Sequence, residues 1–88
     1  MARFKIGLLL MTREVADAVP FPLVQRLVRR HAAGDWGEAL SPEDREANEL
    51  ALKEGSRLLS AYHTPHGKIW IITERDRSAT TVLFPDDY

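Results

Sequence analysis

Two histidine pairings carry the most reactive side chains of this 88-residue chain. His31 precedes Asp35 by four residues and His63 precedes His66 by three. At such spacings an imidazole can share a proton with a carboxylate, or two imidazoles can share a metal. Each pairing stops short of a site. A catalytic zinc commonly takes three protein ligands, and His63-Thr64-Pro65-His66 crosses a turn with no evident third. His31 stands near the end of a helical pattern on its apolar side, where an imidazole more often packs and donates to a carbonyl than ligates or catalyses. No paired carboxylates stand in a recognisable frame. No catalytic residue, metal ligand or cofactor is therefore assigned.

The other candidates are residues for binding or bracing. The charged knot Glu74-Arg75-Asp76-Arg77-Ser78 separates two β-rich runs, so it reads as a turn that presents its side chains from a rigid sheet. Asp76 suits the accepting position of such a turn, a structural role, and Arg77 can brace a carboxylate such as Glu74 or the C-terminal acids. Arg75 has no such duty and, with Lys68, Arg57 and the Arg26-Arg29-Arg30 face, is a candidate for a phosphate-binding surface. Trp36 lies between Asp35 and Gly37, where Asp35 can bond nearby amides and hold the loop closed. The indole is either an aromatic anchor for a partner or a plug over one end of the core. The candidate partner-binding set is thus Arg26, Arg29, Arg30, Trp36, Arg75 and Arg77, with Asp35, Asn48 and Asp76 as structural residues.

These side chains must be positioned by a small number of elements. Lys5 to Met11 holds Ile6, Leu8, Leu9 and Leu10 in a run too short for a stable helix, which predicts a buried first strand. From Pro20, apolar residues recur at Leu23, Val24, Leu27 and Val28 with His31 on the same stripe. Pro22 fits the first turn of that helix and Gly34 the position after its end. Ser41 can cap a second helix with Pro42 at its first position, ending at Gly55. There Leu50, Ala47, Ala51 and Leu52 share one arc with Asn48 inside it, so a polar amide faces the core and must bond to backbone. Segments 57–63 and 68–73 form a hairpin about Thr64-Pro65-His66-Gly67, and a strand over 79–84 follows the knot and stops at Pro85. The expected fold is α+β: one domain over 1–88, order β-α-α-β-β-β, a four-stranded and mainly antiparallel sheet with both helices on one face.

Composition narrows the classes. Apolar residues make up 44% and charged residues 28%, ordinary globular usage that excludes wholesale disorder and fibrous repeats. A chain of this length buries about 60–65% of its unfolded surface, enough for one modest core. There is no cysteine, so no disulfide or thiolate chemistry, and the longest early apolar run, Leu8 to Met11, is too short for a membrane span or a signal-peptide core. A cytoplasmic location is expected. The net charge of -1 hides a segregation: +4 over residues 1–34 (six basic, two acidic), -5 over 35–54 (two and seven) and 0 over 55–88 (four and four). Basic and acidic elements can complement a partner or lie beside each other within the fold. Strand alternation also puts Lys68, Trp70 and Ile72 opposite Ile69, Ile71 and Thr73. If helices cover only the second set, Trp70 and Ile72, with Leu59 or Tyr62, leave an apolar patch suited to a homodimer or another protein.

The segments Arg30-His31-Ala32-Ala33-Gly34-Asp35-Trp36-Gly37, Arg57-Leu58-Leu59-Ser60-Ala61-Tyr62, Ile69-Trp70-Ile71-Ile72-Thr73-Glu74, Asp76-Arg77-Ser78 and Leu83-Phe84-Pro85-Asp86-Asp87-Tyr88 are worth taking together. Over roughly residues 29–88 the chain resembles a family of small plasmid-related proteins carried on bacterial plasmids, integrative elements and phages. Some members are labelled type I restriction-modification subunits, but this chain lacks the Gly-rich cofactor loop and the length a methyltransferase needs. The resemblance implies an accessory role in a mobile element and no defined chemistry; residues 1–28 lie outside it. The function expected is a non-enzymatic interaction module whose partner is a host, phage or plasmid protein, such as a restriction, CRISPR or DNA-processing complex that it inhibits. A nucleic-acid-binding accessory is the first alternative, weakened by a pI of about 6.3 and no recognition motif. A small metal-independent hydrolase is the second. No membrane partner is expected.

Overall fold

Seven regular elements and a closing 3-10 turn follow the sequence signals closely in the middle of the chain and depart from them at its start. The computed structural model describes residues 1–88. Strand β1 (Leu8–Met11) is followed by helices α1 (Arg13–Ala18), α2 (Phe21–Ala32) and α3 (Pro42–Glu54), then strands β2 (Leu58–Thr64), β3 (Gly67–Thr73) and β4 (Ala79–Leu83) and a 3-10 turn (Pro85–Asp87). Ser41 caps α3 by accepting from the Asp44 amide at 3.2 Å, and Gly55 ends it at φ 74°, the left-handed conformation glycine adopts without strain. The hairpin turns on Pro65-His66, with Thr64 opposite Gly67.

The class is α+β, with two corrections. A third helix, α1, occupies the polar stretch after β1. Thr12 caps it by accepting from the Val15 amide at 3.3 Å, and its apolar side sends Val15 into the core, with Val19 buried just beyond its end. The sheet is also mixed rather than mainly antiparallel. Its order is β1-β4-β3-β2, with β2-β3 and β3-β4 antiparallel and β1 parallel to β4. The parallel sense has a visible tie: the Thr12 hydroxyl, just past β1, donates to Asp87 at 2.8 Å, just past β4, so both strands must end on the same side.

One sheet face carries the main core. Leu58, Ser60 and Tyr62 of β2, Ile69, Ile71 and Thr73 of β3, and Thr80 and Val82 of β4 are all buried there. Val24, Leu27, Val28 and His31 of α2 and Val15 of α1 complete it. The sum of such burials, at about 25 cal/mol per Å² of apolar surface, is the chief drive to fold. α3 stands apart, reaching the sheet through β2. Only Asn48 and Ala51 of α3 are buried, and Leu50, expected inside, is 54% exposed. A helix that meets a sheet edge needs a narrower apolar stripe than one lying across a face.

Candidate interaction surface

His31 is the centre of a closed polar chain. Its Nδ1 lies against the Ser60 hydroxyl and its Nε2 is 2.8 Å from the Thr73 hydroxyl; Thr73 in turn is 2.7 Å from the Thr80 hydroxyl, which donates to the Ile6 carbonyl at 2.7 Å. Each hydroxyl has one proton to give. Thr80 spends its proton on Ile6, so Thr73 donates to Thr80, His31 Nε2–H donates to Thr73, and Ser60 donates to His31 Nδ1. The network therefore fixes the neutral Nε2–H tautomer. His31, Ser60, Thr73 and Thr80 are all 0% exposed. Burial, reinforced by the nearby Arg77 charge, holds the imidazole down to about 4. A Ser–His contact here has no path to a substrate; it joins α2, three strands and the N-terminal segment.

Asp35 does not pair with His31. It accepts from Arg30 at 2.7 Å and from the Gly37 amide at 3.3 Å, and the Arg30 guanidinium holds its carboxyl below the usual range. The Tyr62 hydroxyl donates to the Asp35 carbonyl at 2.7 Å. His63 and His66 are exposed, and no group of three or more His, Asp or Glu side chains is placed to hold a metal ion.

Trp36 is 3% exposed and lies inside the fold. Its ring stacks on Phe4 and meets His31 edge-on, while Nε1–H donates to Glu49 at 2.8 Å. Glu49 also takes both Arg3 Nη groups, at 3.0 and 2.9 Å, and these donors hold it down to about 2. Of the two readings for the indole, this geometry supplies the plug. Gly37 makes it fit: at φ 92° it lies so close to the Ala61 carbonyl that a Cβ would collide with it.

The arginines divide by what they touch. Arg30 is spent on Asp35 and Glu38 and covers the Tyr62 ring at 4.6 Å. Arg77 adopts φ 61° and donates to the carbonyls of Ser56 (2.6 Å), Glu74 (3.0 Å), Arg75 (3.4 Å) and Ala51 (3.4 Å), tying the knot to the end of α3. It braces backbone, not the carboxylate expected for it. Asp76 accepts from the Ser78 amide at 3.0 Å. Arg26, Arg29 and Arg75 are exposed and make no ion pair. The charge segregation is thus partly used within the chain, through Arg3–Glu49 and Arg30 with Asp35 and Glu38.

Asn48 makes the backbone tie expected of it, near the start of β2. Its amide donates to the Leu59 carbonyl at 2.6 Å and accepts from the Leu59 amide at 3.0 Å. Two residues along, Ala61 donates to the Trp36 carbonyl at 3.0 Å and accepts from the Ala39 amide at 3.1 Å; the His63 amide donates to Glu38 at 2.9 Å. The outer edge of β2 is closed along its length by groups that are not a strand.

The second sheet face is only partly covered: Ile72 and Leu83 are buried, Leu59, Trp70 and Thr81 half-buried, and Leu8, Leu10 and Tyr88 exposed. It carries Leu8 and Leu10 of β1, Thr81 and Leu83 of β4, Trp70 and Ile72 of β3, and Leu59 of β2. The 3-10 turn and Tyr88 reach over it, Tyr88 meeting Trp70 edge-on at 6.0 Å and lying under Arg57 at 5.1 Å, and Leu59 and Trp70 also pack against the cluster of Trp36, Leu40, Ala51, Leu58 and Ala61. Arg57, Leu59, Trp70, Ile72 and Tyr88 line a groove of about 260 Å³. No helix is long and apolar enough to cross a membrane. No protein-family model, curated protein or solved structure matches the chain.

Proposed function

We propose that this chain is a non-enzymatic protein-interaction module of a bacterial mobile element, acting in the cytoplasm by occupying a surface of a host defence or DNA-processing complex. The mobile-element setting rests on the motif resemblance over residues 29–88. The observation that supports an interaction role is the partly covered apolar face that carries Trp70, on which Leu8, Leu10 and Tyr88 stay exposed. Its neighbour groups Leu59, Ile72 and Tyr88 form a groove with a single cation, Arg57, at its rim. Aromatic and arginine side chains are the types that anchor protein interfaces. Of the two histidine pairings, His31 is sealed in its hydroxyl chain and Asp35 is engaged by Arg30, while His63 and His66 are exposed.

The test compares tagged wild-type protein with Trp70→Glu and with Arg26→Glu/Arg29→Glu in recovery from host lysate, each variant first checked for a native circular dichroism spectrum. A stoichiometric protein retained by wild type and by the arginine variant, and lost with Trp70→Glu, is expected. Undiminished recovery by Trp70→Glu sinks the reading. The unpaired Arg26 and Arg29 on the outer side of α2 favour one other reading, nucleic-acid binding. That reading requires retention on DNA or RNA that falls steeply with salt and vanishes in the arginine variant.

A further inference from the structure

The two edges of the sheet are treated differently. β2 is closed by Asn48, the 36–39 segment and Glu38. At the other edge, Leu8 donates to the Ser78 carbonyl at 2.9 Å and Thr12 to the Val82 carbonyl at 3.0 Å, so residues 8, 10 and 12 face β4. By the alternation of a parallel ladder, Leu9 and Met11 point their N–H and C=O groups outward. β1 itself reads Leu-Leu-Leu-Met. It has none of the lysines, prolines or bulges that keep edge strands apart, and Leu8 and Leu10 on its open side are 65% and 43% exposed.

We propose that β1 is the pairing edge of a homodimer, in which the β1 strands of two copies run antiparallel about a twofold axis at Leu10 and merge two four-stranded sheets into one of eight. The strand is self-complementary in this register. Leu10 faces Leu10 of the second copy as a non-hydrogen-bonded pair, about 4.5 Å between Cα atoms, while each Leu9 exchanges both backbone bonds with the opposing Met11. Every outward group of Leu9 and Met11 is then used. Charge selects the antiparallel sense: Lys5 before β1 and Glu14 after it take part in no ion pair within the chain, and the antiparallel arrangement brings each Lys5 toward the other copy's Glu14. A parallel pair would set Lys5 beside Lys5. The twofold contact is isologous and closes at two copies, and it makes the two partly covered faces continuous. That enlarged face extends the interaction reading given above, but the pairing itself does not depend on it.

The absence of cysteine makes a clean test. Leu10→Cys introduces one thiol per chain at the axis, where the proposed spacing suits a disulfide. Leu8→Cys puts its two thiols on opposite sides of the axis, about 13 Å apart along the strands. Under mild oxidation Leu10→Cys should form a linked dimer at least about tenfold faster than Leu8→Cys, which is out of reach. The double variant Leu8→Cys/Thr12→Cys should link through the unlike pair. Sedimentation velocity on the unmodified chain should give twice the 10.0 kDa monomer mass, and Leu10→Lys should return it to monomer. An unmodified chain that stays monomeric across a concentration series overturns the proposal, as does equal linking at positions 8 and 10. Neither result touches the Trp70→Glu comparison, so the two readings fail separately.

Discussion

Asn48 bonds both backbone groups of Leu59, so a side chain on α3 does for β2 what a neighbouring strand would do. Removing it should be costly out of proportion to its size. Asn48→Ala leaves a donor and an acceptor of a half-buried strand unpaired, a loss of about 2–3 kcal/mol. Asn48→Asp keeps the acceptor for the Leu59 amide but turns a second oxygen on the Leu59 carbonyl, and should be no better than alanine. Urea unfolding of the three proteins measures this, and near-equal midpoints for wild type and Asn48→Ala would show that the edge is not closed this way.

The His31 chain gives stability a pH dependence in a defined window. The unfolded imidazole titrates near 6.5 and the folded one near 4, so the unfolded chain binds the proton first. Stability is complete above about 6.5 and is lost as pH falls toward about 4, by about 3 kcal/mol. Carboxylates held down by partners, Glu49 chief among them, lose their contribution lower, from about 4.5 toward about 2. Unfolding midpoints at pH 7, 5.5 and 4.5 separate the two groups, and a flat profile between 7 and 5 would remove His31 from the account.

Arg77 sits at φ 61° and holds four carbonyls, so its backbone and side-chain contributions oppose each other. Arg77→Ala loses the contacts and keeps the strained conformation; Arg77→Gly loses the contacts and relieves it. The glycine variant should be the more stable of the two by about 1 kcal/mol, and both should fall below wild type. Thermal melts decide the order. In both variants, amide exchange should quicken at the end of α3.

Thr12 joins the cap of α1 to the tail through Asp87, which also accepts from the Phe84 amide at 2.9 Å. Thr12→Val and Asp87→Ala should therefore be non-additive, with a coupling of about 1 kcal/mol in a double-mutant cycle. Additive losses would mean that the tail is not held by this bond.

What could be read in the sequence was local. The Ser41 cap, the Gly55 stop, the Pro65-His66 hairpin and the period of α2 are each set within a few residues, and each stands where the pattern put it. α1 escaped because a six-residue helix with Val15 as its one buried residue barely establishes a period. The partner of β1 escaped because parallel pairing is a long-range choice that no short motif records. Leu50 points outward because α3 meets an edge, which helical spacing cannot tell from a face. For the candidate site, alternation gave the face that Trp70, Ile72 and Leu59 share but not that Ile72 would be buried in it, and the role of Trp36 depended on how closely Gly37 approaches β2. The His31 chain did leave a signal: Ser60, Thr73 and Thr80 are polar residues at core-facing positions of their strands, opposite the one histidine on the apolar stripe of α2.

The most direct test of the interaction account places a photo-cross-linking phenylalanine derivative, in the host cell, at position 70 or 59 on the partly covered face and at position 26 or 29 on the outer side of α2. A discrete adduct to one other protein is expected from positions 70 and 59 and none from α2. Adducts confined to positions 26 and 29 would contradict it, as would the absence of any adduct from position 70.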